Sequence, residues 1–214
     1  MVNRQYTLRE EIFNASIHGI GVGFGITALV ILLVFSVQQN DIWKIVSSAL
    51  FGSSLIIMYS ASTLYHSFFK SRWKSLFKIL DHAAIYFLIA GSYTPFALVT
   101  LRGDFGWILF GVVWGLALFG VLFKIFFVYR FKIVSIASYL LMGWLAVLAI
   151  VPLYHHLARG GLFWLILGGL CYTFGAVFYL WKSAKYTHTI WHVFVVAGSV
   201  CHFFSVLWYV ILPN

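Results

Sequence analysis

The sequence predicts an all-α membrane protein, a bundle of seven transmembrane helices. Of its 214 residues, 63% are hydrophobic and only 9% are charged, whereas soluble domains carry about 25% charged residues. Aromatic residues make up 20% of the chain, which suits the interfacial Trp and Tyr belts of membrane proteins. A bilayer is therefore the solvent that this composition fits.

Seven segments are long enough to cross the hydrocarbon core, which requires about 20 apolar residues in a helix. They lie approximately at residues 16–37, 45–66, 79–100, 106–128, 133–153, 162–181 and 188–212. Short polar or basic breaks separate them, so we expect residues 1–214 to form a single domain with short loops. No small-residue cleavage site follows the first apolar run, so we interpret it as a membrane helix and not as a signal peptide.

The first span carries four glycines with a regular spacing. Gly19 and Gly23 fall on one helix face, and Gly21 and Gly25 fall on another. Such spacing lets a neighbouring helix approach closely. The alternative is a lipid-facing helix in which the glycines only add flexibility.

The distribution of basic residues predicts the orientation. With the N-terminus inside, eleven of the 14 Lys and Arg residues lie on the cytoplasmic side, and only Lys44, Arg102 and Arg159 lie outside. The positive-inside rule then predicts a cytoplasmic N-terminus and an external C-terminus, in the inner (plasma) membrane of the cell. The net charge of +9 comes from short clusters between helices, which suit anionic lipid headgroups and do not suggest nucleic-acid binding.

Few residues can do chemistry inside the membrane. Asp81 is the one acid expected within a span, near the start of the third, where an ionisable residue is a functional candidate by default. His66 ends the second span, and His188 and His192 begin the seventh. Because successive spans alternate in direction, all four residues are expected near the cytoplasmic face.

The local spacings favour a metal site. His188 and His192 are four residues apart and share one helix face, and Ser62 precedes His66 by the same interval. Three neutral imidazoles suit zinc and leave a fourth position for water, whose pKa then falls to about 7. Asp81 is positioned to accept a hydrogen bond from that water or to act as general base. The alternative is that the His188 and His192 pair extends its polar tips to the membrane interface.

Other polar residues have less certain roles. His82 points about 100° away from Asp81 around the helix, which favours packing. His202 lies about 15 Å beyond His192, too far for the same metal, so a buried hydrogen bond is expected. Glu11, Asn14 and His18 share a face at the start of the first helix and form either a polar seam or an interfacial amphipathic turn.

Four segments carry a resemblance to a known family. They are EEIFNASIHGIG at 10–21, SASTLYHS at 60–67, LDHAAIYFLIAGSYTPF at 80–96 and HTIWHVFVVAGSVCHF at 188–203. The chain resembles the bacterial hemolysin III proteins, within the progestin and adipoQ receptor superfamily that includes the adiponectin receptors. The resemblance spans almost the whole chain, and its last motif is the most specific.

The resemblance implies a seven-helix protein with a zinc ion near the cytoplasmic leaflet. By motif, the zinc ligands are His66, His188 and His192, the aspartate that reaches the zinc through water is Asp81, and the serine before the second-helix histidine is Ser62. Related membrane hydrolases, among them the alkaline ceramidases, use a similar set. The chain lacks the receptors' long cytoplasmic N-terminal region, so a hormone-receptor role is not expected.

Three functions remain open at this point. The first is a zinc-dependent hydrolase of a lipid amide or ester, with Asp81 and Ser62 as catalytic residues. The second is a pore-forming cytolysin, although no predicted helix carries a continuous polar stripe. The third is a regulator of membrane lipid state or energetics whose zinc is structural. The expected partners in each case are membrane lipids.

Overall fold

The computed structural model describes residues 6–68, 72–181 and 183–212. Within these ranges it contains helices and no β-strand, and seven helices are long and apolar enough to cross a membrane, as the sequence predicts. They are α1 (Leu8–Gln38), α2 (Ile42–Ser67), α3 (Lys74–Thr100), α4 (Asp104–Phe127), α5 (Lys132–Trp144, Leu145–Ala149 and Ile150–His156), α6 (Arg159–Leu180) and α7 (Thr187–Ile211). The three most enclosed helices are α2, α3 and α7.

Helix α1 begins earlier than expected, because a capping box starts it. The Thr7 side chain accepts a hydrogen bond from the Glu10 backbone N–H, and the Glu10 carboxylate accepts one from the Thr7 backbone N–H. These bonds satisfy backbone donors that a helix N-terminus leaves unpaired. Glu10 and Glu11, which we expected before the first span, therefore lie inside α1, and both are buried.

One of the two glycine faces of α1 packs against α2. A Cβ at Gly21 would lie 2.6 Å from the Tyr59 ring, and one at Gly25 would lie 3.2 Å from Ile56. A Cβ at Gly23 would meet no atom within 4 Å. The close approach of α1 and α2 thus depends on the Gly21 face, whereas Gly23 on the other face is exposed.

Helix α5 is interrupted by one 3-10 segment, Leu145–Ala149. The Tyr93 hydroxyl of α3 lies 3.0 Å from the Met142 carbonyl oxygen and 2.5 Å from that of Gly143, and it accepts a hydrogen bond from the Ala146 N–H. Broken helices are tolerated in membranes where such partners satisfy the freed backbone groups.

Polar contacts close the end of the bundle opposite the N-terminus. The Asp41 carboxylate pairs with the Arg102 guanidinium at 2.6 Å, and the Lys44 ammonium donates to the Ile211 carbonyl oxygen at 2.8 Å. These contacts join the start of α2 to the loop between α3 and α4 and to the end of α7.

Candidate metal centre

Three buried histidines meet where α2 ends and α7 begins. His66 lies in the last turn of α2, and His188 and His192 lie in the first two turns of α7. Their potential ligand nitrogens all lie within 4.8 Å of one another. The Nε2 atoms of His66 and His192 face each other at 3.1 Å. The structure therefore brings together the three histidines that the sequence selected as candidate ligands.

The cluster fits a metal ion on two grounds. Imidazole nitrogens are good ligands for zinc and for several other first-row metals. In addition, Nδ1 of His192 is fully buried and has no hydrogen-bond partner among the described residues, whereas buried polar atoms are normally paired. The three histidines can therefore hold a metal ion.

A carboxylate that the sequence analysis did not assign to the site supports His66. Oε2 of Glu11 lies 2.5 Å from Nδ1 of His66, and Oε1 accepts a hydrogen bond from Lys74 at 3.1 Å. Metal-ligating histidines commonly donate their second ring N–H to a carboxylate, which fixes the tautomer and orients the ring. Here this contact leaves Nε2 of His66 free to bind an ion.

Asp81 and Ser62, the two predicted catalytic residues, lie close to the histidines. Asp81 is in the second turn of α3 and is 8% exposed. Its carboxylate is within electrostatic range of His66 and lines the same cavity as His192. Ser62 is fully buried one turn before His66, and its hydroxyl faces Asp81 without a hydrogen bond of normal length.

His82 lies closer to Asp81 than its angular position suggests. Its Nδ1 is 3.3 Å from the Asp81 carboxylate and 2.9 Å from the Lys78 carbonyl oxygen. The imidazole therefore bridges the carboxylate and the backbone of its own helix, and it can hold Asp81 in position.

Helix α1 supplies a buried polar face to the site. Glu11, Asn14 and His18 are 6%, 0% and 2% exposed, so these residues form a polar seam and not an interfacial turn. Asn14 accepts a hydrogen bond from the Thr189 hydroxyl at 2.6 Å. The ring centroids of His18 and His192 are 3.7 Å apart.

The segment that precedes α1 covers the histidines. The Tyr6 ring stacks on the ring of His188 with centroids 5.0 Å apart. Next to it, the Glu10 carboxylate accepts a hydrogen bond from the Tyr186 backbone N–H just before α7. These contacts attach the start of α1 to the start of α7, so the cluster is enclosed from the end of the bundle that carries the N-terminus.

A cavity of about 220 Å³ runs from the cluster into the bundle. His18, Asp81, His188 and His192 line the part of it next to the cluster, and mostly apolar side chains of α3, α5, α6 and α7 line the rest. His202 also lines it, and its Nε2 donates to the Leu165 carbonyl oxygen at 3.2 Å. The buried hydrogen bond expected for His202 is thus present.

Comparison with known proteins gives matches along most of the chain. The model of the family described as "Haemolysin-III related" matches residues 6–203. The chain is 49% identical over 204 residues to a hemolysin-3 homolog of Bacillus subtilis (strain 168), which covers 95% of this chain and 96% of that protein. It is 47% identical over 204 residues to hemolysin-3 of Bacillus cereus, covering 95% and 93%.

A human protein named monocyte to macrophage differentiation factor is more distant. It is 28% identical over 176 residues, which cover 78% of this chain and 72% of the human protein. The matched region includes most of the helical bundle.

Proposed function

The chain belongs to the haemolysin-III-related family, and we propose that it is a zinc-dependent membrane hydrolase that cleaves lipid amides or esters. The observation that carries this proposal is the convergence of His66, His188 and His192, two of which, His188 and His192, line a mostly apolar cavity. We place the histidine cluster near the cytoplasmic face of the plasma membrane, because eleven of the 14 Lys and Arg residues then lie inside.

In this proposal the catalytic chemistry is divided between the metal and Asp81. A zinc ion held by the three histidines would act as a Lewis acid and lower the pKa of a bound water toward about 7. The Asp81 carboxylate accepts a proton as the water oxygen bonds to the lipid carbonyl carbon. Asp81 then returns this proton to the amine or alcohol as the C–N or C–O bond breaks, so the products are a fatty acid and an amine or alcohol.

Two neighbours prepare Asp81 for this role. The His82 imidazole, 3.3 Å away, limits the directions in which the carboxylate can point. The Ser62 hydroxyl faces the same carboxylate and is available to orient the attacking water. Ser62 and Asp81 thereby act as one unit beside the metal ligands.

The cavity supports a lipid as the substrate. Its lining includes both His192 and His202, which are separated by about 15 Å along α7. An acyl chain whose carbonyl lies at the histidines has an apolar path of that length. Ligand pockets are commonly apolar, with a few polar groups that fix orientation, and this cavity has that composition.

The test combines metal analysis with turnover. Purified protein should contain stoichiometric zinc and release fatty acid from at least one member of a panel of lipid amides and esters, measured by mass spectrometry. Asp81→Asn should keep its zinc and lose turnover by about 100-fold or more. Protein with stoichiometric zinc that hydrolyses no acyl lipid would contradict the proposal.

A second candidate is a regulator of membrane lipid state in which the metal is structural. The observation that favours it is that the ligands come from two different helices, so one ion would join α2 to α7. Asp81→Asn separates the two candidates, because a structural metal site should keep both its metal and its cellular phenotype after this change.

Cytolysis, suggested by the name of the hemolysin-3 relatives, is tested separately. A pore requires a polar lumen, whereas the walls of this cavity are mainly apolar. Erythrocyte lysis by purified protein that persists in His188→Ala would favour a pore. Lysis that disappears with the histidine would favour an enzyme.

A further inference from the structure

His18 is a buried histidine next to the metal centre that the proposed chemistry does not use. It is 2% exposed, and neither ring nitrogen makes a hydrogen bond of normal geometry to a described residue. Its ring packs against those of His192, with centroids 3.7 Å apart, and Tyr59, at 5.2 Å. Buried polar groups without partners are costly, so this position indicates a partner that is not part of the protein.

Asn14, one turn earlier on α1, has the same property. Its Oδ1 accepts from the Thr189 hydroxyl, and this contact sets the orientation of the amide. Nδ2 of Asn14 is then a buried donor without a partner among the described residues. Helices α1 and α7 run in the same direction. Asn14 therefore contacts Thr189, and His18, one turn further along α1, contacts His192, about one turn further along α7.

His18 does not belong to the candidate ligand group. Among the described residues, the group whose ligand atoms lie within 4.8 Å of one another contains His66, His188 and His192, and it does not include His18. His18 nevertheless lines the cavity together with two of these histidines, His188 and His192. It is thus placed to contact a molecule that the metal binds.

We propose that His18 and Asn14 donate hydrogen bonds to the carbonyl oxygen of the lipid substrate. A neutral imidazole has one N–H donor, and the Asn14 amide has two. When water attacks the carbonyl carbon, negative charge develops on this oxygen, and donors already directed toward it stabilise the transition state. The proposal deepens the hydrolase function and rests on it, since it adds an oxyanion-binding pair from α1.

The probe is a long-chain hydroxamic acid, whose carbonyl oxygen binds a metal while its chain occupies an apolar cavity. Binding is measured by visible absorption of the cobalt-substituted protein, and metal affinity by competition with a chelator. His18→Leu should lower hydroxamate affinity by about tenfold, and turnover, where it is measurable, by about 100-fold. Metal affinity should change by less than about threefold, because His18 is not a ligand.

Two comparisons separate hydrogen bonding from packing. His18→Gln retains a donor and should recover part of the lost hydroxamate affinity, which a purely structural role would not predict. His156→Leu is the control for the same exchange, because His156 lies at the end of α5, is exposed and does not line this cavity. If His18→Leu does not fold, Asn14→Leu and His18→Gln are compared with the wild type instead.

Unchanged hydroxamate affinity in His18→Leu with intact metal binding would overturn the proposal. So would a loss of metal that parallels the loss of hydroxamate, since His18 would then belong to the metal site. Wild-type protein that binds cobalt and hydroxamate but hydrolyses no lipid would defeat the hydrolase function alone, and the binding comparison would still decide the role of His18. Wild-type protein that takes up no metal would overturn both.

Discussion

Replacing Glu11 tests whether α1 tunes the metal centre. The Glu11 carboxylate lies 2.5 Å from Nδ1 of His66 and also binds Lys74. In Glu11→Gln the single amide oxygen can still accept from the His66 N–H, because Lys74 is partly exposed and can turn to its other acceptor, the Tyr65 carbonyl oxygen. The substitution therefore removes negative charge and keeps the hydrogen bond. Glu11→Leu removes both.

The expected magnitude follows from the surroundings of the carboxylate. Loss of a group that orients a metal-bound histidine typically lowers metal affinity by about 10- to 100-fold, and tenfold corresponds to about 1.4 kcal/mol. Lys74 is partly exposed, and its ammonium also donates to the Tyr65 carbonyl oxygen at 2.8 Å, so it retains a partner in either variant. We therefore expect a loss of about tenfold for Glu11→Gln and about 100-fold for Glu11→Leu.

Metal affinity is measured by competition with a chelator of known affinity, in detergent and at constant pH. Glu10→Gln is the control, because this neighbouring acid binds Thr7 and the Tyr186 backbone N–H. It should lower thermal stability and leave metal affinity within about threefold of the wild type. Equal affinities in Glu11→Leu and wild type would refute the role of Glu11, as would an equal loss in Glu10→Gln.

Three further predictions concern packing, pH and the cavity. Gly21→Ala should destabilise the protein by about 1–3 kcal/mol in thermal unfolding. Gly23→Ala should not, because a Cβ at Gly23 would meet no atom within 4 Å. Equal destabilisation by the two substitutions would contradict the packing of α1 against α2. Partial burial of Asp41 raises its pKa, but Arg102 holds this pKa below its ordinary value overall. The stability that this ion pair adds to the folded protein is fully present above about pH 4 and declines as the pH falls through the lowered pKa of Asp41. Arg102→Gln should therefore weaken the acid dependence of unfolding. Gly169→Leu should reduce binding of long-chain but not short-chain lipids and leave metal content unchanged. Gly169 lines the cavity, and a Cβ at this position would meet open space, so a leucine side chain would fill part of the cavity. Equal loss of binding for both chain lengths would contradict this role of the cavity.

The fold and the three histidines could be predicted because their signals are local. Hydropathy over about 20 residues identifies each membrane helix. Alternation of helix direction then brings His66 to the same depth as His188 and His192, and a four-residue spacing puts the latter two on one face. None of these steps requires knowledge of which helices are neighbours.

The partners of these histidines could not be predicted in the same way. Glu11 and His66 are 55 positions apart, and their contact depends on the packing of α1 against α2. A signal for the polar face of α1 was present in the spacing of Glu11, Asn14 and His18. It did not distinguish a buried seam from an interfacial turn, because that choice depends on which neighbour covers the face. The capping box of Thr7 and Glu10 is a local signal in the sequence, and it could have predicted the earlier start of α1.

The polar face of α1 also bears on whether the metal centre is catalytic. A structural metal requires ligands and groups that orient them, and Glu11 meets the second need. It does not require buried donors without protein partners, which Asn14 and His18 supply, and His18 also lines the cavity. Polar groups inside a membrane are costly unless they are paired or functional. Their presence on a helix that contributes no metal ligand therefore favours a site that binds a carbonyl compound over one that only joins helices.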